Sequence, residues 1–275
     1  MTNVRFVRRF SSERAQKLRT EALFRNNLRP ESERGDVFPA IRDNEIHFYH
    51  KGGNLFKYSN SFTTNIKYAT VIGNKTKDYV SENDLQGMPL IQSFSEGYAK
   101  IKANCKLYNE NKESSSVAVL YHKYSCVLAH QDIVVLDIEI ALPGLDKENE
   151  QDRIDFLLFN TLKGTLRFYE AKRLENFKRT QLEVVEQVKR YQKQLSQRRD
   201  EILEAYKNYV KIENDLFDLD LPDPVSLDPK VCLFVFEFDK TTVPNKRLFS
   251  GINYYRIGNV GNVEIGNMWN EISCG

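Results

Sequence analysis

The chain has 275 residues, with 40 Lys and Arg against 38 Asp and Glu, so its formal net charge is +2. This length allows one large domain or two modest ones with a sizeable core. There is no apolar run near the roughly eighteen residues of a membrane span, and the four cysteines are scattered without a C-x-x-C pair. We therefore expect a cytoplasmic protein with reduced thiols, without a membrane span or a zinc site.

The first 30 residues are strongly basic, with eight Lys and Arg against two Glu, a balance of 8 − 2 = +6. The first ten have no apolar stretch behind their basic residues, so they do not resemble a secretory signal. A cap at Ser11 or Ser12 and a helical apolar stripe predict a basic amphipathic helix over residues 11–28. The stripe consists of Ala15, Leu18 and Ala22. This helix is expected either to clamp nucleic acid or to pack on the body of the protein.

Residues 31–90 are predicted to form a small β-rich unit. The aromatic runs 45–50 and 54–58 flank Lys51-Gly52-Gly53, which is a strong hairpin signal, and a third run covers 62–68. The lysines Lys51, Lys57 and Lys67 alternate with these aromatics. This pattern has two interpretations. The aromatics could form a surface on which bases stack, or, as is more common, they form a core with a rim of lysines.

Residues 91–275 are predicted to form the main α/β domain. Residues 93–109 favour a helix, and the apolar run Val117–Tyr121 is interpreted as a strand. Residues 132–140 form an apolar strand that carries Asp137 and Glu139, which should share one face. A charge among such apolar neighbours needs a partner or a function.

The next two strands carry the most informative residues. Residues 153–160 and 165–173 flank a turn at Lys163-Gly164 and predict a hairpin. Glu170 and Lys172 share a strand face, which the hairpin can bring beside Asp155. Two carboxylates and an ammonium at one point are unfavourable in a half-buried sheet unless a divalent cation lies between the carboxylates. A second E-x-K triplet, at residues 110–112, lies in a polar run and is interpreted as a solvated loop.

A helix follows over residues 181–195, with apolar residues at 184, 188, 191 and 195. Gln187 and Tyr191 are four apart and project from the same side. If this helix continues to residue 211 it would reach about 45 Å, so part of it could serve as a homo-oligomer surface. Residues 230–238 predict one more apolar strand.

The order of Asp155, Glu170-Ala171-Lys172 and the helix with Gln187 and Tyr191 resembles the PD-(D/E)xK nuclease superfamily, particularly its RecB-type branch. The resemblance covers about residues 132–240. It implies a restriction-endonuclease-like α/β core, in which helices flank a central mixed sheet. The Pro of the family's label is absent, since Arg153-Ile154 precedes the first Asp.

The resemblance also implies roles for these residues. Asp155 and Glu170 would bind Mg²⁺ or Mn²⁺ through oxygen, with the backbone carbonyl of Ala171 completing the shell. Lys172 would orient or help deprotonate the attacking water and offset charge on the phosphate. Gln187 and Tyr191 would hydrogen-bond the substrate backbone or brace the cluster.

A further acid is expected at the metal. Glu139 is the favoured candidate, and the alternative is Glu96, because the family often takes this acid from an early helix. Both residues remain candidates on the sequence alone.

The expected activity is metal-dependent cleavage of DNA, at free ends or at single-stranded or branched regions, by an exonuclease or an endonuclease. Repair or defence against foreign DNA would suit such an enzyme. Residues 163–199 hold eleven Lys and Arg against four acids, 11 − 4 = +7, typical of a phosphate-binding face. The expected nucleic-acid contacts are Arg173, Lys178, Arg179 and Arg190. The alternatives are a non-catalytic nucleic-acid-binding adaptor on the same fold and a metal-dependent RNase.

Overall fold

The computed structural model describes residues 5–69, 78–86, 91–110, 112–128, 131–143, 152–237, 249 and 251–274. These residues form a mixed α/β fold with a five-stranded antiparallel sheet and a larger mixed sheet, both flanked by helices. Within this part of the chain, every helix is too short or too polar to cross a membrane.

The N-terminal segment packs on the body of the protein. Helix α1 (Ser12–Thr20) is capped by Ser11, whose Oγ accepts a hydrogen bond from the Arg14 backbone N–H at 3.3 Å. Ala15 and Leu18 are buried as predicted, but Ala22 is exposed. The predicted single helix over residues 11–28 is wrong, because α1 ends at Thr20 and a π-helical turn (Phe24–Leu28) leads into α2 (Arg29–Ser32).

The predicted β-rich unit contains the antiparallel sheet, with strand order β1-β2-β3-β4-β5. Its elements are β1 (Phe38–Ile41), β2 (Ile46–His50), β3 (Gly53–Tyr58), β4 (Phe62–Asn65), a helical turn α3 (Ile66–Ala69) and β5 (Tyr79–Ser81). The hairpin at Lys51-Gly52-Gly53 is confirmed. Phe48, Phe56 and Tyr58 are fully buried, so these aromatics are core and not a surface for stacking bases.

Helix α4 (Phe94–Asn109) packs on β2 and β3 of this sheet, and α5 (Glu113–Tyr124) packs on β6, β7 and β8 of the next one. Helix α4 agrees with the prediction. The predicted strand at Val117–Tyr121 is wrong, because these residues belong to α5. The reason lies in packing, since Val117, Leu120, Tyr121 and Tyr124 follow helical spacing and are all buried.

The mixed sheet has the strand order β12-β11-β10-β8-β7-β6, with β9 beside the start of β8. Its strands are β6 (Ile133–Leu142), β7 (Asp152–Asn160), β8 (Thr165–Arg173), β9 (Ser226–Leu227), β10 (Cys232–Phe236), β11 (Asn253–Arg256) and β12 (Ser273–Cys274). Strands β6, β7 and β8 are antiparallel neighbours, whereas β8, β10 and β11 run parallel. The predicted strands at 132–140, 153–160, 165–173 and 230–238 are thus confirmed, except that residue 238 lies outside the described residues.

The remaining helices are α6 (Leu174–Arg179), α7 (Gln181–Gln197), α8 (Arg199–Phe217) and α9 (Ile265–Asn270). The predicted continuous helix to residue 211 is wrong, because the chain leaves helical geometry at Arg198, with φ −117° and ψ 22°. Helix α8 buries its apolar face in the core. The structure therefore gives no projecting helix end as a reason to expect a homo-oligomer.

A buried charge cluster joins the two sheets. The Asp137 carboxylate, in β6, lies 3.1 Å from Arg8 Nη2 and 2.7 Å from Arg42 Nη1. It also accepts a hydrogen bond from the Tyr206 hydroxyl at 3.0 Å. Asp137 is completely buried, so one carboxylate ties the N-terminal segment, the residue that follows β1, strand β6 and helix α8 together.

Candidate active site at a fork in the mixed sheet

The mixed sheet divides beside the predicted site residues. The ladder between β7 and β8 ends at the pair Phe156 and Tyr169. Beyond this pair β7 stays with β6 as far as Asp152, while β8 stays with β10 as far as Arg173. Asp155 and Glu170 are the next residues on the two diverging strands, so the fork brings the predicted carboxylates together.

Asp155 is held in place by the opposite strand. Its Oδ2 accepts a hydrogen bond from the Ala171 backbone N–H at 2.7 Å. Burial raises the pKa of Asp155 to about 6, although the Lys172 ammonium and the Ala171 N–H act in the opposite direction.

Glu170 is only 1% exposed. Its Oε1 lies 2.8 Å from Lys172 Nζ, whereas its Oε2 is buried without a hydrogen-bond partner among the described residues. Burial and the nearby charge of Asp155 raise the pKa of Glu170 well above its ordinary value. A buried carboxylate oxygen without a donor is costly, and a cation at this oxygen would remove that cost.

Lys172 lies between carboxylates. Besides Glu170, its Nζ is 3.7 Å from Glu113 Oε2. Burial disfavours the ammonium form, but the charges of Glu170 and Asp155 outweigh burial and raise the pKa of Lys172. In this arrangement Lys172 keeps its proton at neutral pH.

Glu113 is the site residue that the sequence analysis missed. It lies in the first turn of α5, and its Oε1 accepts a hydrogen bond from the Arg173 backbone N–H at 2.6 Å. The α5 N-terminus is thereby attached to the end of β8. The spacing of Val117, Leu120 and Tyr124, together with an acid in the first turn, was the available signal for a helix beginning at this residue.

Of the two candidates for the further acid at the metal, Glu139 lies near Asp155 and lines the same small cleft. Its carboxylate pairs with Arg153 Nη1 at 3.2 Å. Its φ of +50° is unusual for a non-glycine residue, and strained backbone of this kind clusters at functional sites. Glu96, by contrast, is exposed in the first turn of α4, which packs on the five-stranded sheet.

The two acids of β6 do not share their surroundings. Asp137 is fully buried among Arg8, Arg42 and Tyr206, whereas Glu139 reaches the cleft. A bulge before Asp137 and the left-handed backbone of Glu139 disturb the expected alternation. The prediction that both acids point to one face is therefore wrong.

Gln187 and Tyr191 contact each other on α7. The Gln187 side-chain amide donates to the Tyr191 hydroxyl, which donates in turn to the Arg153 backbone carbonyl at 2.6 Å. Tyr191 is completely buried. Its hydroxyl contacts β7 at Arg153, two residues before Asp155. Of the two expected roles, this arrangement favours bracing of the site.

Most of the predicted nucleic-acid contacts are engaged with acids. Arg173 Nε lies 3.3 Å from Glu237. Arg190 lies 3.3 Å from Asp152, and Arg179 pairs with Glu175. Lys178 is exposed on α6. The local balance of +7 therefore overstates the charge that this face offers to phosphates.

The fit of a divalent cation rests on Asp155 and Glu170. Among the described residues, no group of three or more His, Cys, Asp and Glu side chains is arranged to hold a metal ion. The unpartnered Oε2 of Glu170 and the adjacent Asp155 carboxylate nevertheless offer hard oxygen donors of the kind that Mg²⁺ and Mn²⁺ prefer.

Comparison of the chain with protein-family models, with curated proteins and with solved structures gave no match in any of the three cases.

Proposed function

We propose that this protein is a Mg²⁺- or Mn²⁺-dependent deoxyribonuclease with a restriction-endonuclease-like core. The observation that carries the proposal is the convergence of Asp155, Glu170 and Lys172 at the fork. One buried Glu170 oxygen there accepts no hydrogen bond from the described residues. Clusters of titratable groups whose pKa values are strongly shifted by burial and by one another are typical of functional sites.

The carboxylates of Asp155 and Glu170 would hold the cation, with the carbonyl of Ala171 as a further oxygen donor. Glu139 lines the adjoining cleft, where it pairs with Arg153, and is not counted among the ligands. When bound, a divalent cation polarises a phosphate and lowers the pKa of a coordinated water. Lys172 keeps its proton, so it is suited to donate a hydrogen bond to a phosphate oxygen and to stabilise negative charge there.

The surrounding residues position this group. Glu113 accepts from the Arg173 N–H and lies near Lys172, which keeps the ammonium at the end of β8. Tyr191 donates to the carbonyl of Arg153 and so fixes the strand that carries Asp155. Both are positioning residues in this proposal.

The experiment is cleavage of labelled single-stranded, duplex and flapped DNA and RNA with Mg²⁺, Mn²⁺ or EDTA. Wild type is compared with Glu170→Gln and Lys172→Ala, and the matched control is Glu110→Gln from the second E-x-K triplet, where Glu110 is exposed. We expect metal-dependent cleavage of DNA that both site variants lose and the control keeps.

Cleavage that survives Glu170→Gln and Lys172→Ala would place the activity elsewhere. Metal-dependent cleavage of RNA alone would favour the RNase alternative. If no protein cuts and all bind nucleic acid with a steep salt dependence, the non-catalytic adaptor replaces the nuclease. Circular dichroism and thermal melting of each variant separate loss of activity from loss of fold.

A further inference from the structure

A basic groove crosses the region between the five-stranded sheet and α5. It has a volume of about 580 Å³. Tyr49, Gly52, Ser114 and Glu139 line this groove and also line the small cleft that contains Asp155. The groove and the candidate active site are therefore neighbours that share one wall.

The charge of the groove is one-sided. Among the described residues that line it, five are cationic and one is a carboxylate. They are Arg42, Lys57, Lys67, Lys112, Arg153 and Glu139. Clefts lined by one sign of charge concentrate ligands of the opposite sign.

The three lysines differ from the two arginines. Arg42 is engaged with Asp137 and Arg153 with Glu139. Lys57, Lys67 and Lys112 form no ion pair with a carboxylate of the described residues, and their contacts are with neutral groups. Within the part of the chain that the structure describes, no carboxylate therefore compensates the charge of these three ammonium groups.

Aromatic rings accompany these lysines. Lys57 Nζ lies 3.9 Å from the centroid of the Tyr79 ring, and Lys67 Nζ lies 5.3 Å from that of Tyr68. Both tyrosines line the groove, but Tyr68 is only 4% exposed and belongs to the core, so the half-buried Tyr79 is the ring that a base can reach. Lysines that contact phosphates, beside aromatic side chains that contact bases, are the usual elements of sites for single strands. A duplex keeps its bases stacked and paired, so its bases are not available to such rings.

We infer that this groove binds a single-stranded polynucleotide and leads it toward Asp155 and Glu170. The inference rests on the proposed nuclease function for the direction of the strand, whereas the three lysines and the Tyr79 ring are features of the groove itself. Lys57, Lys67 and Lys112 contact successive phosphates. Single-stranded DNA is the substrate class that follows from the proposed function, and single-stranded RNA shares the same phosphate chemistry.

The test measures binding in EDTA, so that cleavage plays no part. Fluorescence anisotropy follows labelled oligothymidine, oligouridine and a duplex of equal length over a range of salt concentrations. The groove variant is Lys57→Gln with Lys67→Gln, which keeps the aliphatic stems. The matched control is Lys163→Gln with Lys230→Gln. Both lysines are exposed and lie just before the first residues of β8 and β10, whereas the site lies near the last residues of β8.

We expect oligothymidine to bind wild type and the control with equal affinity, and the groove variant to bind more weakly. Each lost phosphate contact to a single strand lowers the slope of log K against log salt by about 0.7. The groove variant should therefore lose about 1.4 from the slope. Stronger binding to oligouridine than to oligothymidine would support the groove and assign it to RNA.

Equal binding by the groove variant and the control would overturn the inference, as would tighter binding of duplex than of single strands. These results are distinguishable from failure of the nuclease proposal. If binding requires Lys57 and Lys67 but no protein cleaves DNA, the nuclease proposal falls and the groove inference stands. If wild type cleaves DNA and the groove variant binds and cleaves it equally well, the nuclease proposal stands and the groove inference falls.

Discussion

Replacing Asp137 by Asn should be among the most destabilising single changes in this protein. The substitution keeps the shape of the side chain but removes the charge that faces Arg8 and Arg42. Their side chains are only 5% and 13% exposed, so water cannot replace the carboxylate. Hydrogen bonds to charged groups contribute about 1.5–3 kcal/mol each, and loss of one member of a buried ion pair costs about 3–5 kcal/mol. We expect the free energy of unfolding to fall by about 3–5 kcal/mol, a large share of the about 5–15 kcal/mol of a typical domain.

Urea unfolding followed by circular dichroism and by fluorescence of Trp269, the one tryptophan of the chain, measures this loss. The matched control is Asp43→Asn, because Asp43 pairs with Arg9 on the surface, where the side chains are 45% and 60% exposed. An exposed ion pair contributes at most about 1 kcal/mol. A loss below about 1 kcal/mol for Asp137→Asn, or one equal to that of the control, would refute the assignment of Asp137 as the charge that holds the two sheets together.

Three further outcomes are expected. Burial raises the pKa of Glu213 well above its ordinary 4.5, so the folded state keeps a proton that the unfolded state releases. Wild type should therefore lose about 1.4 kcal/mol of stability per pH unit above that ordinary value, relative to Glu213→Gln, until the folded-state pKa is reached. Parallel stability curves for the two proteins would contradict this. Gly52→Ala should destabilise more than Gly251→Ala in urea unfolding, because both have a φ of +81° but only at Gly52 would the new Cβ lie 2.6 Å from the Ser114 backbone. Equal losses would refute the close approach. Tyr191→Phe removes the buried hydroxyl and should lower the free energy of unfolding by about 1–3 kcal/mol, which the same titration measures. An unchanged stability would show that this hydroxyl does not brace the site.

The hairpin that carries the candidate site was predictable because its signals are local. Asp155 and Glu170 are separated by one turn, and the alternation of side chains along two strands is enough to bring them together. The helix of Gln187 and Tyr191 was predictable from its apolar spacing. Its end was not, because residues 196–201 contain neither Gly nor Pro to mark the break that the structure shows at Arg198.

Glu113 and Glu139 show where local reasoning fails. The short apolar run Val117–Tyr121 fits a buried strand as well as it fits the apolar side of a helix. Its contacts with the mixed sheet decide for the helix. The disturbed alternation at Glu139 depends on a bulge and on a positive φ, which the sequence does not encode in a recognisable pattern. The groove beside the site joins residues from 42 to 153, so it too appears only when the chain has folded.

The burial of the N-terminal segment has a consequence for how the chain folds during synthesis. Phe6 packs against Tyr206, with ring centroids 5.7 Å apart, and both side chains are buried. The ribosome makes about 5–20 residues each second, so these two positions are separated by about 10–40 s of translation. During that interval Phe6 lacks its aromatic neighbour and Arg8, until β6 is made, lacks its counter-charge. Phe6 and Arg8 are thus made well before their partners, and their contacts are complete only when β6 and α8 have been made.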